Sequence, residues 1–241
     1  MLTREQITYR ALYFLNAYPS LYMPIASIRY LRSTDLLVTR DTQLVIEGFG
    51  RSGSTFANFA FLSAQTRPVK TVHHTHAAAQ VITAVCMGIP TLVIVRKPLD
   101  AVLSHMARFL IQPRAALVAW IRFHERILPY CERLVITSFD TMTKDFGAVI
   151  RRINEKFFTQ FGIWQHTKEN EAQVFEQIRR RNRTRFGDVP SPARSRALAI
   201  PTLAREIVKE KLQAQLQAER LAPIRHRAEQ LYTRIIMFER D

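Results

Sequence analysis

The chain has 241 residues, 47 % of them apolar, which is enough for one substantial α/β domain and too few for more than two small ones. With 35 Lys and Arg against 20 Asp and Glu it carries a net charge of +15, pointing to an anionic partner: a nucleotide, a sulfated or phosphorylated substrate, nucleic acid or an acidic membrane surface. No apolar run reaches the ~18 to 20 residues of a membrane span, and MLTREQITYR lacks the compact apolar core of a secretion signal, so the expectation is a cytoplasmic protein.

Residues 3–17 and 24–32 read as amphipathic helices separated by Tyr18, Pro19 and Pro24, with Thr3 and Gln6 spaced as a capping box. They are expected to pack as a lid, with a peripheral contact to membrane left open. From 42 to 138, apolar runs at 44–47, 69–72, 91–95 and 133–137 alternate with helical stretches at 54–65, 77–87, 98–110 and 114–128. This alternation predicts a parallel sheet covered on both faces, with ligands at the carboxyl ends of its strands. A helix from Asp140 or Thr141 to about 157 follows, and another at 168–182 running into RRRNRTR. A Pro- and Arg-rich loop spans 187–201, and 202–239 returns to helix, broken or kinked at Pro223. One domain is expected over 1–241, with its core at 42–157 and a helical, arginine-rich C-terminal region at 168–241.

Two segments stand out because each follows an apolar strand and opens a helix. GFGRSGSTF (48–56) follows LVIE, and VRKPLDAVLSHMARF (95–109) follows TLVI. A helix N-terminus presents unpaired N–H groups and the positive end of the dipole, so each is a ready phosphate site. Two in one chain predict a ligand with phosphates at two separated places. Gly48, Gly50 and Gly53 allow backbone angles that turn successive N–H groups toward an anion, and Ser54 and Thr55 add hydroxyls. The spacing is that of a P-loop, GxxxxGK[ST], but Ser54 stands where the lysine belongs and the strand 91–95 leads into Arg96 rather than an acidic metal ligand. Both departures oppose a kinase or triphosphatase.

RSGSTF, residues 51–56, resembles the 5'-phosphosulfate loop of the sulfotransferases, typically KSGTTW. VRKPLDAVLS resembles that family's RNPxDxxxS, with Arg96 and Ser104 eight positions apart. Between them the family carries KTH, and here His74-Thr75-His76 follows an apolar run. The resemblance covers roughly 44–109. It implies a P-loop-like sheet and 3'-phosphoadenosine 5'-phosphosulfate (PAPS) as sulfuryl donor, with the desulfated nucleotide (PAP) as product. Arg51, Ser52, Gly53, Ser54 and Thr55 would hold the 5' end, Phe56 would stack on adenine, and Arg96 and Ser104 would bind the 3'-phosphate. His76 matches the catalytic base for an acceptor hydroxyl, with an amine as second choice. His74, in place of the family's lysine, would orient or contact the sulfuryl group, and Arg51 replaces a second lysine.

The chemistry agrees with the resemblance: PAPS has two anionic ends, and its transfer needs positive charge on the departing phosphate and a base, but no metal. In the cluster His73, His74, His76 the HxH pair could bind zinc, but a site needs a further ligand and no nearby Cys, His, Asp or Glu spacing suggests one. Strand alternation is expected to turn His73 away from the side that His74 and His76 share. Cys86 and Cys131 have neither CxxC nor metal-site spacing and are expected to be reduced core residues. In the C-terminal loop Arg183, Arg185, Arg194 and Arg196 are candidates for the 3'-phosphate or a sulfated acceptor, with a solvated basic face as the equal alternative. The acceptor is expected to be a small molecule or carbohydrate rather than nucleic acid. A noncatalytic polyanion- or nucleic-acid-binding protein and a degenerate P-loop kinase stand as rival readings.

Overall fold

The computed structural model describes residues 4–30, 36–187 and 203–240. Four short strands, β1 (Leu44–Glu47), β2 (Thr71–His73), β3 (Thr91–Val95) and β4 (Val135–Ser138), form one parallel sheet in the order β2-β1-β3-β4. The chain leaves β1 for β2 on one side and then crosses to β3 on the other. The carboxyl ends of β1 and β3 therefore flank a topological switch point, where connecting loops diverge and leave a crevice. Both glycine- and arginine-bearing motifs begin there.

Period-2 alternation assigns the strand residues to two faces. Leu44, Ile46, Leu92 and Ile94 point into one apolar core, and Val93 and Val95 into the other. All six are fully buried, and each side chain withdrawn from water contributes roughly 1.5–3 kcal/mol. These strands read as short continuous apolar runs because both faces of the sheet are covered, which leaves no polar alternation to find.

The helices are α1 (Arg4–Leu15), α2 (Pro19–Arg29), α3 (Ser54–Ser63), α4 (Ala78–Cys86), α5 (Pro98–Phe109), α6 (Pro113–Ile127), α7 (Phe139–Lys144), α8 (Phe146–Phe157), α9 (Lys168–Phe186), α10 (Leu203–Gln217) and α11 (Ala222–Ile236). Helix α3 buries Ala57, Ala60 and Phe61, a spacing of three and four residues, on the core shared with Phe146 and Val149 of α8. On the other face α5 and α6 pack with α4, and α10 and α11 cover them. Glu239 closes the C-terminal end by accepting hydrogen bonds from Ser138 N (2.6 Å) and Thr137 Oγ1 (3.1 Å).

Several boundaries differ from the sequence expectation. Pro24 lies inside α2, which starts at Pro19, a position that tolerates a missing N–H. The expected helix to 157 is two, because Asp145 ends α7 with ψ 87° and its carboxylate caps α8 at Ala148 N, 3.0 Å away. The C-terminal break falls at 218–221, with Pro223 seated in the first turn of α11. Cys131 is buried as expected, but Cys86, the last residue of α4, is exposed. Thr3, Arg194 and Arg196 lie outside the described residues.

Candidate active site

The loop from Gly48 to Gly53 joins β1 to α3 and is shaped by close packing. A Cβ on Gly48 would come within 2.4 Å of the Ile94 carbonyl oxygen, and one on Gly50 within 2.8 Å of His105 Nδ1. Gly53, with φ 90°, takes the left-handed conformation just before α3. Ser52 braces the loop, its Oγ donating to the Phe49 carbonyl at 2.5 Å. No side chain caps α3, and its first turn contains no acidic residue. Its leading N–H groups and dipole are thus left for an external anion.

The two motifs converge on Arg51. Its Nε donates to Ser104 Oγ at 3.1 Å, across 53 residues of sequence, while its own carbonyl accepts from Arg96 Nη1 at 3.1 Å. Arg51 sits at φ 77°, a conformation costing a non-glycine residue about 1–3 kcal/mol unless its surroundings hold it; these two bonds do so. Arg96 also lies over the Phe139 ring, 4.4 Å from its centroid, and its Nε is buried with no hydrogen-bond partner among the described residues. Burial holds the Arg96 guanidinium below its ordinary pKa, although the charges of Asp100, Asp140 and Glu206 act the other way. Phe56 packs among Trp164, Phe175 and His166, with ring centroids 5.4 to 6.5 Å away.

The histidine segment is a turn, not a strand. Strand β2 stops at His73, and His74 (φ 76°) and His76 (φ 53°) are both left-handed. Alternation therefore does not govern the three histidines: the His73 and His74 rings are 6.1 Å apart, and those of His74 and His76 5.2 Å. The turn is held by Glu47, the last residue of β1. Its Oε1 accepts from Thr75 N (2.8 Å) and Thr75 Oγ1 (2.6 Å), and its Oε2 accepts from His76 N (3.1 Å). Three bonds to a carboxylate offset the cost of two left-handed residues.

His76 Nδ1 is 2.9 Å from the Gly48 carbonyl oxygen. A carbonyl can only accept, so Nδ1 carries the proton and Nε2 keeps its lone pair. Burial pushes His76 down to about 4, so the imidazole is neutral at pH 7 with a basic nitrogen available. His74 is also driven down by burial, then by the charges of His76 and Arg181, and its Nδ1 lies 3.4 Å from Thr55 Oγ1. His73 is pushed to about 3 by burial, and both its ring nitrogens are enclosed without partners among the described residues.

Three participants escaped the sequence reading. Glu47 is, in the sequence, only the last residue of LVIE. Arg108, whose charge acts on His74 and His76, lies four residues after Ser104 and so on the same face of α5, a spacing that could have marked it. Arg181, from the arginine-rich end of α9, acts on His73 and His74; nothing local in the sequence ties it to them. Of the C-terminal candidates, Arg183 is exposed and pairs with Glu176 at 3.0 Å.

Glu47 is fully buried, and that burial raises its pKa to about 7 despite the hydrogen bonds that lower it. A carboxyl with a raised folded pKa contributes stability below its ordinary value near 4.5 and loses it as pH rises through about 7. Glu47→Gln should cost about 1–3 kcal/mol in acid, with the deficit against wild type shrinking as pH rises from about 4.5 to about 7. Thermal melts from pH 5 to 8 check this; a deficit that grows with pH would refute it.

No protein-family model and no curated protein matches the chain. Solved structures do resemble it. One is a mouse sulfotransferase, SULT7A1, complexed with PAP: 10 % identity and a TM-score of 0.44, over 83 % of this chain and 94 % of that one. A likeness this remote carries no weight for the site, which stands on its own residues.

Proposed function

We propose that the chain is a sulfotransferase that takes PAPS as donor and passes its sulfuryl group to a hydroxyl of a small molecule or carbohydrate. The observation that carries this reading is the convergence on Arg51 of Ser104 and Arg96, which brings the two anion motifs together. The residues fit a ligand with anions at two ends. An acid-free helix N-terminus with no side-chain cap lies at one, and Arg96, whose buried Nε has no partner among the described residues, at the other.

When bound, PAPS would supply the sulfuryl group and a phosphate leaving group. Arg51 and the N–H groups opening α3, at Ser54 and Thr55, would stabilise the charge that grows on that phosphate. Ser52 and Gly53 keep the loop in its anion-facing shape. Arg96 and Ser104 would hold the 3'-phosphate, the arginine through parallel donors. Phe56, with Trp164 beside it, offers an aromatic face for adenine. His76, neutral and with Nε2 unprotonated, would accept the acceptor's proton. Glu47 is a positioning residue that fixes the turn, and His74 would lie near the transferred group, with Arg108 adding the charge that a histidine lacks.

Calorimetry in EDTA tests the two-ended site. PAP should bind at least ten-fold more tightly than ADP, since a charge-assisted contact is worth ~1.5–3 kcal/mol. Equal affinities would sink the reading.

A further inference from the structure

The two N-terminal helices turn apolar stripes outward. On α2, Leu21, Pro24, Ile25 and Ile28 recur at three- and four-residue spacing, and Ile25 and Ile28 are 52 % and 73 % exposed. On α1, Ile7, Ala11 and Phe14 do the same, with Ile7 55 % exposed. A helix normally buries such a stripe, and here α2 is anchored by other residues: Tyr22 and Ala26 pack against Ala77 and Ala79, and the Asn16 carbonyl accepts from Ala79 N at 2.9 Å. The outward stripes are therefore not what fastens the hairpin to the body. Contiguous exposed aliphatics of this kind mark an interaction surface.

Charge selects the partner. No acidic residue occurs between Glu5 and Asp35, whereas Arg10 and Arg29 lie on the hairpin. Arg122 and Arg126 of α6 reach it, their guanidinium carbons 5.2 Å and 4.7 Å from the ring centroids of Phe14 and Tyr18. Apolar residues flanked by arginines, two of them with guanidinium groups over aromatic rings, suit the boundary between acyl chains and anionic headgroups. A second copy is a poor occupant, because a face-to-face contact would set these arginines against their own counterparts.

We infer that α1 and α2 form a docking surface for an anionic lipid bilayer. The surface adjoins the candidate site: a cavity of about 110 Å³ between the two helices is lined by Leu12, Tyr22, Ile25 and Arg29, and also by Thr75 of the histidine turn. The inference holds whether or not the chain transfers sulfuryl groups.

Vesicle co-sedimentation of the full chain tests it, with phosphatidylcholine containing phosphatidylglycerol compared with phosphatidylcholine alone. Wild type should partition at least ten-fold more strongly onto the anionic vesicles. Ile25→Glu/Ile28→Glu, or Ile28→Glu alone should the pair not fold, should lose most of that binding while its circular dichroism stays unchanged. A wild type that stays in solution, or a folded variant that binds like wild type, would overturn the inference. So would self-association of the free protein that the same variant abolishes. PAP affinity, measured in parallel, reports the sulfotransferase reading separately.

Discussion

His76→Ala should depress turnover by the ~10²–10⁴-fold typical of a lost general base while leaving PAP affinity nearly intact. The expectation rests on the tautomer. With Nδ1–H committed to the Gly48 carbonyl at 2.9 Å, the imidazole holds its lone pair on Nε2, and burial keeps it neutral at pH 7. The same bond links His76 to the Gly48–Gly53 loop, so PAP affinity is the control that separates a lost base from a displaced loop. His74→Ala should fall between His76→Ala and wild type, since its contacts run to Thr55 and to charges around the site. His73→Ala should change turnover little, because its ring nitrogens are enclosed. An acceptor must first be found by screening hydroxylated compounds. A dead His73 variant beside an active His76 variant would mean that the base has been misassigned.

The strands flanking the crevice were legible because of how they are buried. LVIE and TLVIV are apolar on both faces, and each is followed at once by glycine or arginine. The order β2-β1-β3-β4 was not legible, since nothing local states which strand takes the centre. The paired anion motifs were legible as types, yet their meeting at Arg51 depends on contacts 45 and 53 residues apart. The histidine turn shows the limit most clearly. Alternation is a rule for strands, and β2 ends at His73, before it can place His74 and His76. What shapes the turn is Glu47, 28 residues upstream, a buried acid whose partners are mostly backbone N–H groups. Backbone partners leave no mark in a sequence. Asp145 is the counterexample: a cap acts on the next turn of its own helix, so that split could in principle have been read.

Arg96→Ala should weaken PAP by roughly ten- to more than a hundred-fold, the range that a lost charge-assisted contact of ~1.5–3 kcal/mol sets. Two effects would contribute, and they can be separated. Arg96 would bind a phosphate directly, its Nε having no partner among the described residues, and its Nη1 also steadies the Arg51 carbonyl at a left-handed residue. Loss of the direct contact affects only ligands that carry the 3'-phosphate. Loss of the brace loosens the loop and weakens any ligand with a 5' anion, ADP included. The PAP-to-ADP affinity ratio in the variant therefore reads the direct contact alone. It should collapse toward one in Arg96→Ala and be partly restored in Arg96→Lys, which returns the charge but not the planar fork. An unchanged ratio with both ligands weakened equally would make Arg96 a support for the loop and move the 3'-phosphate elsewhere.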